Sequence, residues 1–216
     1  MTQGGGQSRL VMWLVVLAAL AAVVVAGYLV LRGTSGVPAL ASFAATPTPT
    51  RAPVALWDAF EQAQMAARAK AADVRLVSAS TQWQGPSEQA LVAGAADWSF
   101  VFYTPSEKSS VDVVADVGTV QVVKLTRAWV APRTLEEGPW RAGPHDALLV
   151  FLAYEGSDFL AQHPRAVVDL NLAESKAGGA VWTIVALDAE ARQYLALVID
   201  AVSGEVLRRE KADVES

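Results

Sequence analysis

An uncharged apolar run, LVMWLVVLAALAAVVVAGYLVL from Leu10 to Leu31, stands between Arg9 and Arg32 and constrains this chain more than any other feature. At about 1.5 Å of rise per residue, a helix over it spans roughly 33 Å, enough to cross a hydrocarbon core of about 30 Å with slight tilt. Trp13 and Tyr28 fall near its two ends, where amphipathic rings favour the headgroup layers. A cleaved signal peptide has an apolar core of about 7–15 residues followed closely by small residues. Here the core is longer, and the nearest small-x-small triplet, Ala39-Leu40-Ala41, lies well beyond Leu31. The run therefore reads as a retained single-pass anchor. Residues 1–9 form a short cytoplasmic tail, 10–31 the transmembrane helix and 32–52 a linker, with the remainder extracytoplasmic. Within the run Ala18, Ala22 and Ala26 recur every four residues, a small-xxx-small row that lets a second membrane helix approach closely.

The linker is rich in small residues and places Pro47 and Pro49 among threonines. Alternating proline favours extended polyproline II, a semi-rigid spacer of about 3.1 Å per residue. All 22 acidic residues follow Ala52 together with 14 of the 17 basic ones, so the exported part carries a net −8. A domain of that sign repels phosphate backbones, which argues against nucleic acid as a partner, and also against adsorption to anionic headgroups. Cysteine is absent, so neither disulfides nor thiolate chemistry enters.

Beyond the linker the hydrophobic period alternates between helix and strand. Leu56, Phe60, Ala63 and Ala67 recur at helical intervals, with Asp58 and Glu61 at capping-box spacing. Four short segments rich in β-branched and aromatic residues follow, beginning at Val74, Asp97, Ser110 and Thr119. The order then restarts. Gly143-Pro144-His145-Asp146 opens a second helix, predicted to run from Asp146 to Gln162, and strand-like segments begin again at Ala166, Ala180, Arg192 and Glu205. Trp98 and Trp182 are 84 residues apart, as are Asp116 and Asp200, each aspartate closing an apolar strand before a glycine-containing turn. This echo predicts a duplication: an α+β fold with a first unit over residues 53–130, a connecting loop over 131–143, a second unit over 144–210 and a tail over 211–216. Each unit is expected to carry one helix on its own antiparallel sheet.

The second unit resembles a PepSY domain, a small envelope module found in propeptides of secreted metallopeptidases and in many membrane-anchored proteins. The residues that carry the likeness are Trp182-Thr183-Ile184-Val185, then Tyr194 to Ile199, and above all Asp200-Ala201-Val202-Ser203-Gly204-Glu205-Val206, similar to the closing "D-A-x-x-G-E-V" turn of that family. The first unit departs from the pattern, because its turn at Asp116-Val117-Gly118-Thr119-Val120 is two residues shorter. The resemblance implies a tandem pair of PepSY-like, cystatin-like folds and an interaction or inhibitory module without catalytic residues of its own.

The chemically capable residues fit that implication. His145 and His163 stand at opposite ends of the second predicted helix, about 27 Å apart if it is regular, too far to share a metal. His145 with Asp146 reads as a helix cap and His163 as a partner of the helix C-terminus. There is no Gly-x-Ser-x-Gly elbow, and Ser109, Ser110 and Ser203 fall in turns. Glu136-Glu137 lies in a loop and Glu155/Asp158 on a helix surface, the ordinary places for solvated carboxylates. No catalytic residue, cofactor or metal ligand is expected. The segment Trp129 to Gly143 concentrates aromatics and arginines in the longest connection, and Trp129, Arg133, Trp140 and Arg141 are the candidates for partner binding. The alternative is a linker whose tryptophans pack against the two units. The chain is therefore expected to be a membrane-anchored binding or regulatory module acting on a protein, such as an envelope peptidase. The other reading is a single-span accessory subunit of a larger membrane complex.

Overall fold

The computed structural model describes residues 52–135 and 141–213. The chain divides into a unit over Met1–Thr48 and a unit over Pro49–Ser216, and every described residue belongs to the second. The run from Leu10 to Leu31, the alanine row and most of the linker lie outside the described residues. Among those described, no helix is long and apolar enough to cross a membrane.

Each predicted strand segment falls on an observed strand: β1 (Arg75–Gln84), β2 (Asp97–Thr104), β3 (Ser109–Asp116), β4 (Thr119–Arg127), β5 (Val167–Glu174), β6 (Ala180–Asp188), β7 (Gln193–Asp200) and β8 (Val206–Asp213). Alternation makes them legible, since one face of each inner strand is buried, as with Trp98, Phe100 and Phe102 on β2 or Leu195, Leu197 and Ile199 on β7. The arrangement of these strands corrects the two-unit expectation. All eight form one antiparallel sheet in the order β4-β3-β2-β1-β5-β6-β7-β8, and β1 pairs with β5 from Ser78↔Ala173 to Gln84↔Val167. Two separate sheets would leave four open edges. Joining β1 to β5 satisfies two of them with main-chain bonds and leaves only β4 and β8 at the margins. The buried side chains of both halves accordingly form one core cluster.

The halves nevertheless repeat one another in register. The β2–β3 pairs run from Asp97↔Asp116 to Thr104↔Ser109, and the β6–β7 pairs from Val181↔Asp200 to Asp188↔Gln193, an exact offset of 84 throughout. The helices are anchored alike, at an offset of 88 from Leu56 to Pro144. The Trp98 indole donates to the Val54 carbonyl at 3.2 Å, and Trp182 to the Ala142 carbonyl at 2.8 Å. Each accepting residue precedes its helix by two positions, so each tryptophan both fills the core and fixes where a helix begins.

Helix α1 (Leu56–Arg68) lies over β2, β3 and β4. Leu56, Ala59, Ala63 and Ala67 form its buried stripe, and the small alanines bring its axis close to the sheet. It starts before the predicted capping box, with no side-chain cap at Ala55, and Asp58 falls in the first turn, where a carboxylate complements the helix dipole. A short helix, α2 (Glu88–Ala93), lies between β1 and β2 and is capped by the Ser87 hydroxyl, which accepts from the Ala90 N–H at 3.2 Å.

The second long helix is broken. α3 (Pro144–Phe151) passes through an irregular turn at Leu152–Gly156 into α4 (Ser157–Gln162), with Tyr154 and Glu155 outside helical geometry and Glu155 at φ 72°. An added Cβ at Gly156 would lie 2.5 Å from the Phe151 carbonyl oxygen, so only glycine permits this close passage. The kink turns Glu155 toward β8, where it pairs with Arg209 and Lys211.

Candidate functional site

Two places on this scaffold offer more than structure, an apolar cleft on the helical side and the β4 margin of the sheet. The cleft arises where the halves cease to match. The β1–β2 connection spans residues 85–96, whereas the β5–β6 connection spans only 175–179. The seven extra residues carry α2 and set it against the approach to α1 and the start of α3. Between them lies a cavity of about 410 Å³. Trp57, Trp83 and Trp98 wall it, Leu91 and Val92 of α2 and Leu148 of α3 contribute aliphatic surface, and His145 is the one ionisable side chain in the lining.

Several polar groups of the wall bond within the protein. The Trp83 indole donates to the Gly94 carbonyl at 3.3 Å, and the Trp98 indole donates to Val54. The Val54 N–H donates to the Ala95 carbonyl at 2.8 Å, and the Gly94 N–H to the Leu91 carbonyl at 3.1 Å. Gly94 makes this possible with φ 107°, a conformation that side chains rarely adopt. That part of the cavity therefore presents mainly carbon.

The β4 margin is of another kind. Val123 is 62% and Leu125 56% exposed, and just past the strand Trp129 and Val130 are 88% and 83% exposed. The Arg127 guanidinium lies 5.2 Å from the centroid of the Trp129 ring, a cation–π geometry. The opposite margin is guarded differently. β8 carries Arg208, Arg209, Glu210 and Lys211, engaged in ion pairs with one another or with Glu155. Charged side chains discourage strand addition, and β4 has such protection only at Lys124 and Arg127, together with a bulge between its pairings to Asp112 and Val113.

The segment that follows β4 crosses one end of the sheet. Ala128 N–H donates to Lys108, Leu135 N–H to Leu76 of β1, and Ala142 N–H to Ala201 beyond β7. Of the residues proposed from sequence, Trp129 is presented to solvent. Arg133 is also exposed but engaged, its Nη1 donating at 2.9 Å to both the Ser175 and Lys176 carbonyls, so it clasps the β5–β6 turn. Arg141 is exposed beside Ala142, and Trp140 lies outside the described residues. The cation on the Trp129 ring is thus Arg127. The three tryptophans of the cleft are drawn from three separate stretches of chain, and no local pattern joins them.

Neither histidine has a metal partner set; among the described residues no group of three suitable side chains converges. His145 is exposed at the cleft. His163 is buried at the end of α4, where Nδ1 lies 3.0 Å from Asp188 Oδ2 and the ring packs 4.4 Å from that of Phe159. Asp188 Oδ1 accepts the N–H groups of Ala191 and Glu190, each at 3.0 Å. Chiefly the Ala191 N–H, with further help from His163 and the Glu190 N–H and against the cost of burial, holds the Asp188 carboxyl below its usual range. A depressed folded-state pKa contributes stability above the unfolded value, about 3.9, and that contribution is lost as pH falls through the folded value. The melting temperature should therefore drop more steeply below about pH 4 in the wild type than in Asp188→Asn. Equal acid limbs in thermal unfolding would show that this pair does not link folding to pH.

No family model matches the chain, and no curated protein matches it. A solved structure of a candidate lipoprotein from Clostridium difficile 630 is similar to this chain at 13% identity, over 71% of this chain and 92% of that one, with a TM-score of 0.47.

Proposed function

We propose that this chain is a membrane-anchored, extracytoplasmic binding or regulatory module that acts through protein contacts and has no catalytic role. The observation that carries the reading is the asymmetry of the two sheet margins, with apolar, exposed Val123, Leu125, Trp129 and Val130 at one and paired charges at the other. An edge strand left open in this way accepts an extended segment of a partner through main-chain bonds, with side-chain pockets supplying selectivity. Tryptophan and arginine together supply the hot-spot chemistry such contacts concentrate. The apolar run from Leu10 to Leu31 supports the anchor, the following acidic, cysteine-free domain fits an exported position, and the PepSY-like turn at Asp200–Val206 supports an envelope interaction module. In the structure that turn is built by Asp200, whose Oδ1 accepts the N–H groups of Val202 and Ser203 at 2.8 and 2.7 Å.

Site-specific photocrosslinking in native membranes tests this reading. A photoreactive residue at position 125 or 129 should capture a protein, and the same group at position 207 on β8 should not. Leu125→Lys should reduce capture from position 129 by about tenfold, the equivalent of about 1.4 kcal/mol of contact energy. Equal capture from both margins would refute the β4 assignment. Migration of the mildly solubilised chain inside a stable, stoichiometric assembly would instead favour an accessory subunit.

A further inference from the structure

We infer that the cleft between α1, α2 and α3 is a binding site for the hydrocarbon tail of a single-chain amphiphile. The inference is independent of the β4 assignment and rests on three features of the wall. First, the cavity of about 410 Å³ lies toward the small end of the roughly 300–1,000 Å³ range typical of small-molecule sites, which suits one chain rather than two. Second, its surface is predominantly apolar, from Trp57, Trp83, Trp98, Leu91, Val92 and Leu148.

Third, both inner indole N–H groups and the adjoining main-chain groups of Val54, Gly94 and Ala95 are already bonded within the protein. A peptide backbone lying against these groups would bring amides that they cannot satisfy, at a cost comparable to lost hydrogen bonds. A sugar or nucleotide meets the same penalty many times over. An alkyl chain brings no such groups, and its affinity grows by about fourfold for each methylene removed from water. The polar end must leave the carbon wall, and exposed His145 marks the one point of the lining where a headgroup meets an ionisable partner.

The cleft forms where the extra length between β1 and β2 carries a helix, an insertion that the shorter β5–β6 connection lacks.

The test uses the full chain in phosphatidylcholine vesicles with three photoactivatable probes carrying a diazirine in the tail: palmitate, lysophosphatidylcholine and two-chain phosphatidylcholine. Both single-chain probes, or one of them, should label peptides containing Trp57, residues 92–95 or Leu148, and the arm that labels identifies a free fatty acid or a lysolipid as the source. The two-chain probe should not label these peptides. Val92→Trp fills the cleft from an exposed position on α2 and should lower the labelling by about tenfold, a change equivalent to about 1.4 kcal/mol. Labelling within residues 10–31 should be unchanged in the same sample, and Ala93→Phe, a second filling variant, should behave alike. Absence of cleft labelling in the wild type, labelling unaffected by both variants, or equal labelling by the two-chain probe would overturn the inference, the first of these in favour of a protein occupant.

Discussion

Trp182→Ala is expected to destabilise the domain by about 3–5 kcal/mol, the range for truncating a large buried aromatic. The ring is 1% exposed in the middle of the second half. Its loss leaves a cavity and also unpairs the Ala142 carbonyl, which the indole N–H holds at 2.8 Å. The two losses are separable. Trp182→Phe keeps most of the apolar volume but cannot donate, so it should cost less, about 1–3 kcal/mol, set by the orphaned carbonyl and imperfect filling. Trp98→Ala should repeat the large effect through Val54, because the two indoles occupy equivalent positions in the repeat. Thermal and denaturant unfolding of the three variants measures this. Wild-type stability in Trp182→Ala would show that the ring does not support the core.

The eight strands and the repeat were legible in sequence for a physical reason. Strand segments bury alternate residues, which leaves a period of two, and equivalent burial in both halves conserves the spacing of Trp98 to Trp182 and of Asp116 to Asp200. The pairing of β1 with β5 was not legible, because alternation says which side of a strand is buried and nothing about which edge meets which. The seam residues show why: Gln82 faces Asp169 across the join and donates to it at 2.7 Å, a contact between residues 87 apart that no local pattern announces.

The break in the second helix was hidden for a similar reason. The apolar period continues through Phe151, Phe159 and Leu160, and only the contact between Gly156 and Phe151 reveals that the backbone departs from it. The candidate sites divide along the same line. Trp129 was visible because a tryptophan in a loop is itself a signal. The cleft was not, because it is made by stretches that meet only after the sheet has formed.

The single sheet makes a second large prediction, directed at the seam. Leu170 on β5 is wholly buried, faces Thr81 of β1 across the join and lies in the core shared by both halves. Leu170→Asp places a carboxylate there with no cation among the neighbouring core residues, and burying an uncompensated polar or charged group costs several kcal/mol beyond the lost packing. If the halves were independent units, such a lesion would melt the second and leave the first intact. With β1 and β5 sharing a continuous ladder, loss of β5 exposes the edge of β1 and uncovers one flank of the core, so the first half should fail with it. Hydrogen exchange of the full chain resolves the two cases segment by segment. Protection should fall together in β2–β3 and β6–β7, and unfolding should remain one transition. Retained protection in β2–β3 with loss confined to β6–β7 would show that the halves fold alone and that the join between β1 and β5 contributes little to holding the sheet together.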